Sequence, residues 1–350
     1  MQYFIDKGIL YESEEVHCGR TYHDLILVGT DWRGQPRQAH SKGITPGSTF
    51  RYDIEGSDKN YGFHHIGTSD KLYVFEAAVD LMSYLTLHPA DWQRHSYLAL
   101  GGAAECAMLQ TLQDYPRLRQ IALCLDHDPG GQLGAVRLTN ILFAKGYNCT
   151  WKFPREAKDW NEELKRQNGK PYQAVSEDKP LTEIMLRGIE LFPIARQKQQ
   201  QNIPPERIEV ALWQYKNAKQ LTDQVDSLYK ASLCAAVQAV CFLRQTGQEL
   251  PQEAFLAGLC AAVRPNIAPP TLDELQQAAA SLCPNTKGKI ESPRTEQEIR
   301  TEVQQYLYFA GQCLLLAQNL EQTIVQTQKI RQKEANEQNG EVEVCQMNLC

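Results

Sequence analysis

Short apolar runs alternate with helix-like segments between residues 71 and 154. The runs are each of strand length and lie at Leu72–Phe75, Ser96–Leu100, Ile121–Leu125 and Tyr147–Trp151. After the first run, Ala78, Leu81 and Leu85 recur at the spacing of one helix face. Because strands that alternate with helices pair in parallel, the pattern predicts a β-α-β-α-β-α-β order and a parallel α/β sheet of about four strands.

The regions before and after this alternation differ from it in composition and in their pattern of apolar residues. Residues 1–70 are rich in Gly and aromatic residues, and turn signals such as Asp31–Gly34 and Pro46-Gly47 separate short β-like runs such as Leu25–Gly29. This predicts a small, mostly antiparallel α+β unit. Residues 206–334 are Ala-, Leu- and Gln-rich and are interrupted by Gly and Pro, which predicts a separate helical bundle.

These differences in composition and pattern divide the chain into five predicted segments. They are an α+β unit at 1–70, an α/β unit at 71–166, a polar linker with short helices at 167–205, a helical domain at 206–334 and a frayed tail at 335–350. Apolar residues near heptad spacing mark the last helix: Val303, Leu307, Ala310, Leu314, Ala317 and Ile324. The stripe favours packing on its own bundle over pairing with a partner helix, and both interpretations stay open.

Composition excludes several classes of protein. The 350 residues are 42% hydrophobic and 22% charged, which is typical of a globular chain, and a net charge of −6 excludes a globally basic nucleic-acid coat. The 11 cysteines are scattered with no C-x-x-C pair, which argues against a zinc ribbon and for buried free thiols. With no signal sequence and no run of about 18 apolar residues, we expect a cytoplasmic protein without membrane contact.

Acidic and glycine residues follow the predicted parallel strands. Glu76 follows the first strand, Gly101 and Gly102 the second, and Asp126 and Asp128 the third, and the fourth leads to Asp159. The carboxyl ends of parallel strands meet at one edge of the sheet, so these acids are expected to lie together. Two carboxylates about 4 Å apart repel by roughly 4 kcal/mol at an effective dielectric of 20. A hard cation with oxygen ligands, Mg²⁺ or Mn²⁺, is the natural counterion.

Neighbouring residues add to this hypothesis. Alternate residues of an extended strand end allow Asp126 and Asp128 to turn toward one ion, and Gly130 and Gly131 let the backbone approach a phosphate at the start of the next helix. Asp80 lies one turn after Glu76. It is equally well interpreted as an outer ligand of the ion or as a first-turn acid favoured by the helix dipole.

The series of motifs resembles the Toprim domain shared by DnaG-type primases, type IA and II topoisomerases and small nucleases. The resemblance spans residues 71–166 and rests on Val74-Phe75-Glu76-Ala77-Ala78, Leu98-Ala99-Leu100-Gly101-Gly102, Leu125-Asp126-His127-Asp128-Pro129-Gly130-Gly131 and Lys158-Asp159-Trp160-Asn161. Residues 1–70 resemble the segment that precedes Toprim in primase-like proteins of bacterial conjugative and integrative elements. That likeness rests on Tyr3–Ile9, Gly29–Gly34 and Gly56–Phe63.

The resemblance implies roles for the acids. Glu76 corresponds to the family's general acid/base or metal-associated glutamate, Asp126 and Asp128 to its metal-binding pair, and Asp159 to its further acidic motif. Two departures stand out. Ala77 occupies the place of a frequent glycine, and no Cys/His zinc module precedes residue 1. Either the chain is a fragment or it engages its template differently from full primases.

The resemblance also implies a nucleic-acid substrate and basic groups to bind it. Candidates for phosphate binding are Lys59, Lys158 and Arg33, with Arg37 and Lys42 beside them, and the glycines at 101, 102, 130 and 131. Trp32, Tyr61 and Phe63 are candidates for base stacking.

Three functions follow from this resemblance. The first is a Mg²⁺-dependent, primase-like nucleotidyltransferase that uses nucleoside triphosphates on single-stranded DNA during replication or transfer of a mobile element. The second is a nuclease that cleaves phosphodiesters with the same acids. The third is a non-catalytic nucleic-acid-binding scaffold whose helical domain docks a helicase or a relaxase.

Overall fold

The computed structural model describes residues 1–45, 47–203, 205–264, 268–282 and 294–347. These form two compact units, Met1–Asp178 and Lys179–Cys350. Among the described helices, none combines the length and apolar character that a bilayer crossing requires. The fold class is the predicted one, because a mixed α/β region with a parallel sheet is followed by a helical region.

The first unit begins with an antiparallel sheet, as predicted. After helix α1 (Gln2–Asp6), the sheet runs in the order β1 (Leu10–His17), β2 (Arg20–Thr30), β3 (Pro36–Gly43) and β4 (Arg51–Asp53). The predicted run Leu25–Gly29 lies inside β2, and the predicted turn at Asp31–Gly34 connects β2 to β3. The predicted turn at Pro46-Gly47 includes residue 46, which lies outside the described residues.

The second sheet contains the four predicted parallel strands in the predicted positions. They are β6 (Lys71–Phe75), β7 (Ser96–Ala99), β8 (Gln120–Leu123) and β9 (Asn148–Trp151), and β5 (His64–His65) adds an antiparallel edge. The order across the sheet is β5-β7-β6-β8-β9. The intervening helices are α2 (Ala78–Leu87), α3 (Cys106–Asp114) and α4 (Pro129–Ala144), and α5 (Trp160–Gln167) follows β9.

Both faces of this sheet are buried. Leu72 and Val74 pack into one apolar cluster with Leu98, whereas Tyr73 and Phe75 pack into the other. This alternation is the geometry of a strand covered on both sides, and it explains the continuous apolar runs in the sequence. The second cluster also contains Phe4, Leu10, Leu27 and Phe63, so the antiparallel sheet packs against the parallel one.

Glycine permits the close approach of the two sheets. Gly29 of β2 pairs with Phe63 through an isolated bridge, and the Ala99 amide donates to the Phe63 carbonyl at 2.9 Å. A Cβ atom placed on Gly62 would lie 2.0 Å from the Ala99 carbonyl oxygen. The backbones at this junction are therefore too close for any side chain at position 62.

The second unit is helical. Its described helices are α6 (Lys179–Gln200), α7 (Ile208–Asn217), α8 (Leu221–Arg244), α9 (Gln252–Cys260), α10 (Leu272–Leu282) and α11 (Glu296–Met347). The predicted stripe on the last helix is buried from Val303 to Ala317 and packs within this unit, chiefly along α8. Packing on its own bundle is therefore the interpretation that the structure supports.

Two predicted boundaries differ from the structure. The segment 167–205, expected as a linker with short helices, contains the 22-residue helix α6, which belongs to the helical unit. Its buried residues Leu181, Ile184, Phe192 and Ala195 follow helical spacing, a signal that the surrounding polar residues obscure. The tail expected to fray at 335–350 continues α11 as far as Met347; it contains the good helix formers Ala, Glu, Gln and Met. Residues 348–350 lie outside the described ranges.

We predict that Gly62→Ala destabilises the first unit by about 1–3 kcal/mol, because the added methyl group must displace the backbone at Ala99. Urea unfolding followed by circular dichroism checks this. Asn60→Ala is the control, because Asn60 lies nearby on an exposed turn. Equal unfolding midpoints for the two variants would contradict the packing described here.

Candidate functional site

The exits of the parallel strands meet at one edge of the sheet. Glu76 directly follows β6, and Asp126 follows its parallel neighbour β8. The amides of Gly101 and Gly102, beyond β7, both donate to the Glu76 carbonyl, at 3.0 and 3.1 Å. The His127 amide donates to the Lys158 carbonyl at 2.6 Å, which joins the fourth exit to the third. The strand order thus brings the predicted site residues Glu76, Gly101, Gly102 and Asp126 to one edge of the sheet.

Glu76 and Asp126 carry carboxylates that accept no hydrogen bond from the described residues. Burial raises the pKa of Glu76, and the nearby charge of Asp128 raises it further. Burial, followed by the charges of Glu76 and Asp80, raises the pKa of Asp126 to about 8. A half-buried acid with acidic neighbours is strongly stabilised by a cation or a proton. These two side chains are therefore the best placed to bind a positive group.

Asp128 is held at both carboxylate oxygens. As the N-cap residue of α4, its Oδ1 accepts the Gly131 amide at 2.9 Å, and its Oδ2 lies 3.4 Å from Lys158 Nζ. Partial burial alone would lower the pKa of Lys158, but the charges of Asp128 and Asp126 outweigh it and raise that pKa. Lys158 is thus a positive charge held against the acids.

Asp159 and Asp80 also have structural partners. Asp159 caps α5, with Oδ1 accepting the Glu162 amide at 2.7 Å. Asp80, buried with 6% of its surface exposed, accepts the Asn161 amide at 3.0 Å. Burial and the charge of Asp159 raise the pKa of Asp80 to about 7. Asp80 therefore connects α2 to the first turn of α5 and adds negative potential behind Asp126.

The acids do not form a ready-made metal cage. Across the described ranges, no group of three or more His, Cys, Asp or Glu side chains is arranged to hold one ion. The predicted five-residue metal set of Glu76, Asp80, Asp126, Asp128 and Asp159 therefore stays a prediction. What the structure provides is two unpartnered carboxylates, with three others fixed beside them by hydrogen bonds.

A cleft of about 530 Å³ opens in front of Glu76. The Gly101-Gly102 turn lines it on the parallel-sheet side, and Lys59 and Tyr61 line it on the other. Gly131 has a packing role, since a Cβ atom there would lie 2.1 Å from the Asp126 carbonyl oxygen, and its amide is used by Asp128. Gly130 is exposed at the start of α4.

The antiparallel sheet supplies basic groups that face the acids. The register aligns Leu25 with Lys42, and Lys42 with Arg51. The charge of Arg51 lowers the pKa of Glu76, and that of Lys42 lowers the pKa of Asp80, in each case against the larger effect of burial. Both cations therefore lie close enough to act on the acidic edge.

Several cleft residues were not identified from the sequence. They are Gln38, His40, Arg51 and Asp53, which lie on β3 and β4 and line the cleft. Only the pairing of β3 with β2, and of β4 with β3, shows which of their alternating side chains face the acids. Single polar residues in a short strand carry no such signal.

Arg33 does not line the cleft, which differs from its predicted role in substrate binding. Its guanidinium stacks on the Trp32 ring, 4.6 Å from the ring centroid, in the turn after β2. Arg37 Nε donates to Asp31 at 3.0 Å and thereby stabilises the same turn. The sequence motif around Asp31 thus forms a turn, and the lysine and arginine side chains that line the cleft are Arg51 of β4 and Lys59.

This chain is similar to several known proteins. The family described as Toprim-like matches residues 73–164, a range that begins within β6, ends within α5 and contains the acids. An uncharacterized protein of Bacillus anthracis, pXO2-78, is 28% identical over 129 residues, or 32% of this chain and 37% of that protein. The chain thus matches less than half the length of this relative.

Solved primase structures also match, at low similarity. The primase fragment of the bacteriophage T7 primase-helicase protein has a TM-score of 0.35 and 16% identity, over 47% of this chain and 64% of that chain. A DNA primase domain from Pseudomonas aeruginosa has a TM-score of 0.35 and 13% identity, over 79% of each chain.

We predict that Asp126→Asn makes the metal-free protein more stable at alkaline pH. The folded state keeps the Asp126 proton up to about pH 8, whereas the ordinary aspartate pKa is 3.8. Rising pH between these values therefore destabilises the wild type, because its unfolded state loses the proton more readily. The stability gained by Asp126→Asn should grow from pH 5 to pH 8 and level off above.

Urea unfolding in chelator at pH 5, 8 and 9 measures this difference. Asp91→Asn is the matched control, because Asp91 is an exposed aspartate in a turn. A gain for Asp126→Asn that does not change with pH would show that burial and the neighbouring acids do not raise the pKa of Asp126.

Proposed function

We propose, from the Toprim-like domain at residues 73–164 and the cleft beside its acids, that this chain is a primase-like nucleotidyltransferase. It would join nucleoside triphosphates on a single-stranded DNA template, with Mg²⁺ or Mn²⁺, during replication or transfer of a mobile element. The bond formed links a 3′-hydroxyl oxygen to the α-phosphorus, and pyrophosphate leaves.

One observation carries the proposal. The unpartnered carboxylate of Glu76 lines a cleft of about 530 Å³ whose opposite wall bears Arg51 and Lys59. This volume is in the range of small-ligand pockets, about 300–1,000 Å³. Cations facing acids across a cleft of this size suit a ligand with both phosphates and a bound metal ion. A nucleoside triphosphate has both.

The acids fit a divalent cation. Mg²⁺ is commonly held by one or two carboxylates together with substrate phosphates and water, so a site with fewer than three protein ligands is suitable. Asp126 would hold the ion, with Asp128 on the same loop and Asp159 nearby. When bound, such an ion neutralises charge that develops on the phosphate oxygens.

The remaining groups have distinct tasks. Glu76 would accept the proton of the attacking hydroxyl at its free carboxylate, since its raised pKa makes it a stronger base than an ordinary glutamate. Lys158, beside Asp128, would keep the acids charged and in place. Arg51 and Lys59 would bind phosphate oxygens from the opposite wall.

The helical unit is the proposed partner-binding part. It presents exposed apolar side chains on α6 and α7, including Leu186, Ile189 and Trp213. We propose that this unit docks a helicase or relaxase and thereby brings the nucleotidyltransferase to its template.

We predict that Glu76→Gln abolishes primer synthesis, with a loss of at least about a hundredfold, while leaving the fold intact. The assay combines single-stranded template, labelled nucleoside triphosphates and Mn²⁺, and gel analysis separates primers from cleaved template. Asp91→Asn is the control and should retain wild-type synthesis. Cleavage of the template would identify a nuclease. If the wild type gave neither primers nor cleaved template, the result would favour a scaffold.

We predict that Asp128→Asn raises the Mn²⁺ concentration needed for half-maximal synthesis. Asparagine is also a good N-cap residue, so α4 should stay intact while the negative charge is lost. A titration of Mn²⁺ at saturating nucleotide measures the shift, and chelator should stop synthesis by the wild type. An unchanged Mn²⁺ requirement would show that Asp128 does not contribute to binding the ion.

A further inference from the structure

Asp53 lies at the centre of a polar network on the wall of the cleft opposite Glu76. Its Oδ1 accepts a hydrogen bond from His40 Nδ1 at 2.8 Å and a longer one from Gln38 Nε2 at 3.4 Å. Its Oδ2 lies 3.3 Å from Lys59 Nζ. All four residues line the cleft. Both oxygens of the acid are therefore engaged by donors on the same wall.

The strand register makes this network face the parallel sheet. Leu27 of β2 aligns with His40 of β3, which aligns with Asp53 of β4. Aligned residues on neighbouring strands point to the same face of a sheet. Leu27 is buried in the core shared with the parallel sheet, so His40 and Asp53 continue that face where it opens into the cleft.

The hydrogen bond fixes the orientation of the imidazole. An ionised carboxylate only accepts hydrogen bonds, so Nδ1 of His40 carries the proton that it shares with Asp53. The charge of Asp53 is favoured by its environment, because the bond from His40, followed by the interaction with Lys59, lowers its pKa despite partial burial. Within the described residues, Nε2 of His40 has no hydrogen-bond partner, and Lys59 is 80% exposed.

We propose that Asp53 is a positioning residue that holds His40 and Lys59 as a paired phosphate-binding site for the nucleoside triphosphate. Between the Asp53 carboxylate and a phosphate oxygen, the ring would donate a hydrogen bond from each nitrogen, and the ammonium group of Lys59 would donate its remaining N–H groups to adjacent phosphate oxygens. Without Asp53, the His40 and Lys59 side chains would each sample several rotamers. Because Asp53 orders them before the ligand binds, part of the entropic cost of binding is removed. The inference rests on the proposed function for the identity of the ligand.

Two possible roles of Asp53 predict opposite effects of Asp53→Asn on ATP affinity. If Asp53 acted only through its charge, removing a negative group from a phosphate-binding wall would strengthen binding. If Asp53 positions His40 and Lys59, the same change releases these side chains and weakens binding. The direction of the change therefore decides between the two.

The experiment measures binding of fluorescently labelled ATP to the full chain in chelator, by anisotropy, with labelled single-stranded DNA as a second probe. We expect Asp53→Asn, His40→Gln and Lys59→Gln each to weaken ATP binding by about tenfold, the value of one charge-assisted hydrogen bond. In the His40→Gln/Lys59→Gln background, Asp53→Asn should have little further effect, because the residues that it positions are already gone. Asp53→Glu should recover most of the affinity.

A matched control lies on the same antiparallel sheet. Glu12 and His23 form an equivalent pair, with His23 Nδ1 2.9 Å from the Glu12 carboxylate, and neither lines the cleft. Glu12→Gln and His23→Gln should leave ATP binding unchanged. In primer synthesis, Asp53→Asn should raise the KM for nucleotide and leave kcat nearly unchanged, which a structural defect would not do.

Several results would overturn the inference. These are tighter or unchanged ATP binding by Asp53→Asn, equal weakening by the control pair, or weakening of DNA binding alone, which would assign the site to the DNA backbone. The binding assay and the primer-synthesis assay test different statements. Weaker ATP binding by Asp53→Asn supports the inference even if the wild type makes no primer, whereas the absence of primers from the wild type contradicts only the proposed nucleotidyltransferase activity.

Discussion

Parallel pairing of β6 with β8 is the constraint on which the candidate site depends. It brings Glu76 and Asp126 from positions 50 residues apart to neighbouring exits of one sheet. Burial raises the pKa of both acids there, the charge of Asp128 raises that of Glu76 further, and the charge of Glu76 raises that of Asp126 further. In a protein without a bound cation this arrangement is destabilising. Burial of the apolar clusters on both faces of the sheet offsets this cost in the free energy of folding.

Helix capping decides which acids are available to a ligand. Asp128 and Asp159 both begin helices and accept backbone amides there, so their carboxylates are fixed in place. Asp80 is buried and accepts the Asn161 amide. Asp126 has no such partner among the described residues. The four aspartates are alike in the sequence, but local hydrogen bonding separates three with structural partners from the one that is free.

The antiparallel sheet gives the acidic edge its opposite wall. Its apolar face packs on the parallel sheet through Leu27, and the same face continues as His40 and Asp53 at the cleft. Core packing and ligand binding thus use one strand register, so a shift of one residue would bury polar groups and remove the cations from the cleft together. The close approach at Gly62 fixes the distance between the two sheets.

The sequence by itself determined where the four parallel strands lie along the chain and predicted that the acids which follow them gather at one edge of the sheet. This is because a strand covered on both faces requires a continuous apolar run, and its exit follows directly in the chain. It also determined the helical character of the second unit, although the polar residues around Leu181 and Phe192 obscured where that unit begins. Only the tertiary structure decided that Glu76 and Asp126 keep free carboxylates and that Arg51, His40 and Asp53 face them. Register between strands and hydrogen bonds between segments depend on residues distant in the chain, and no local pattern of apolar and polar positions encodes them.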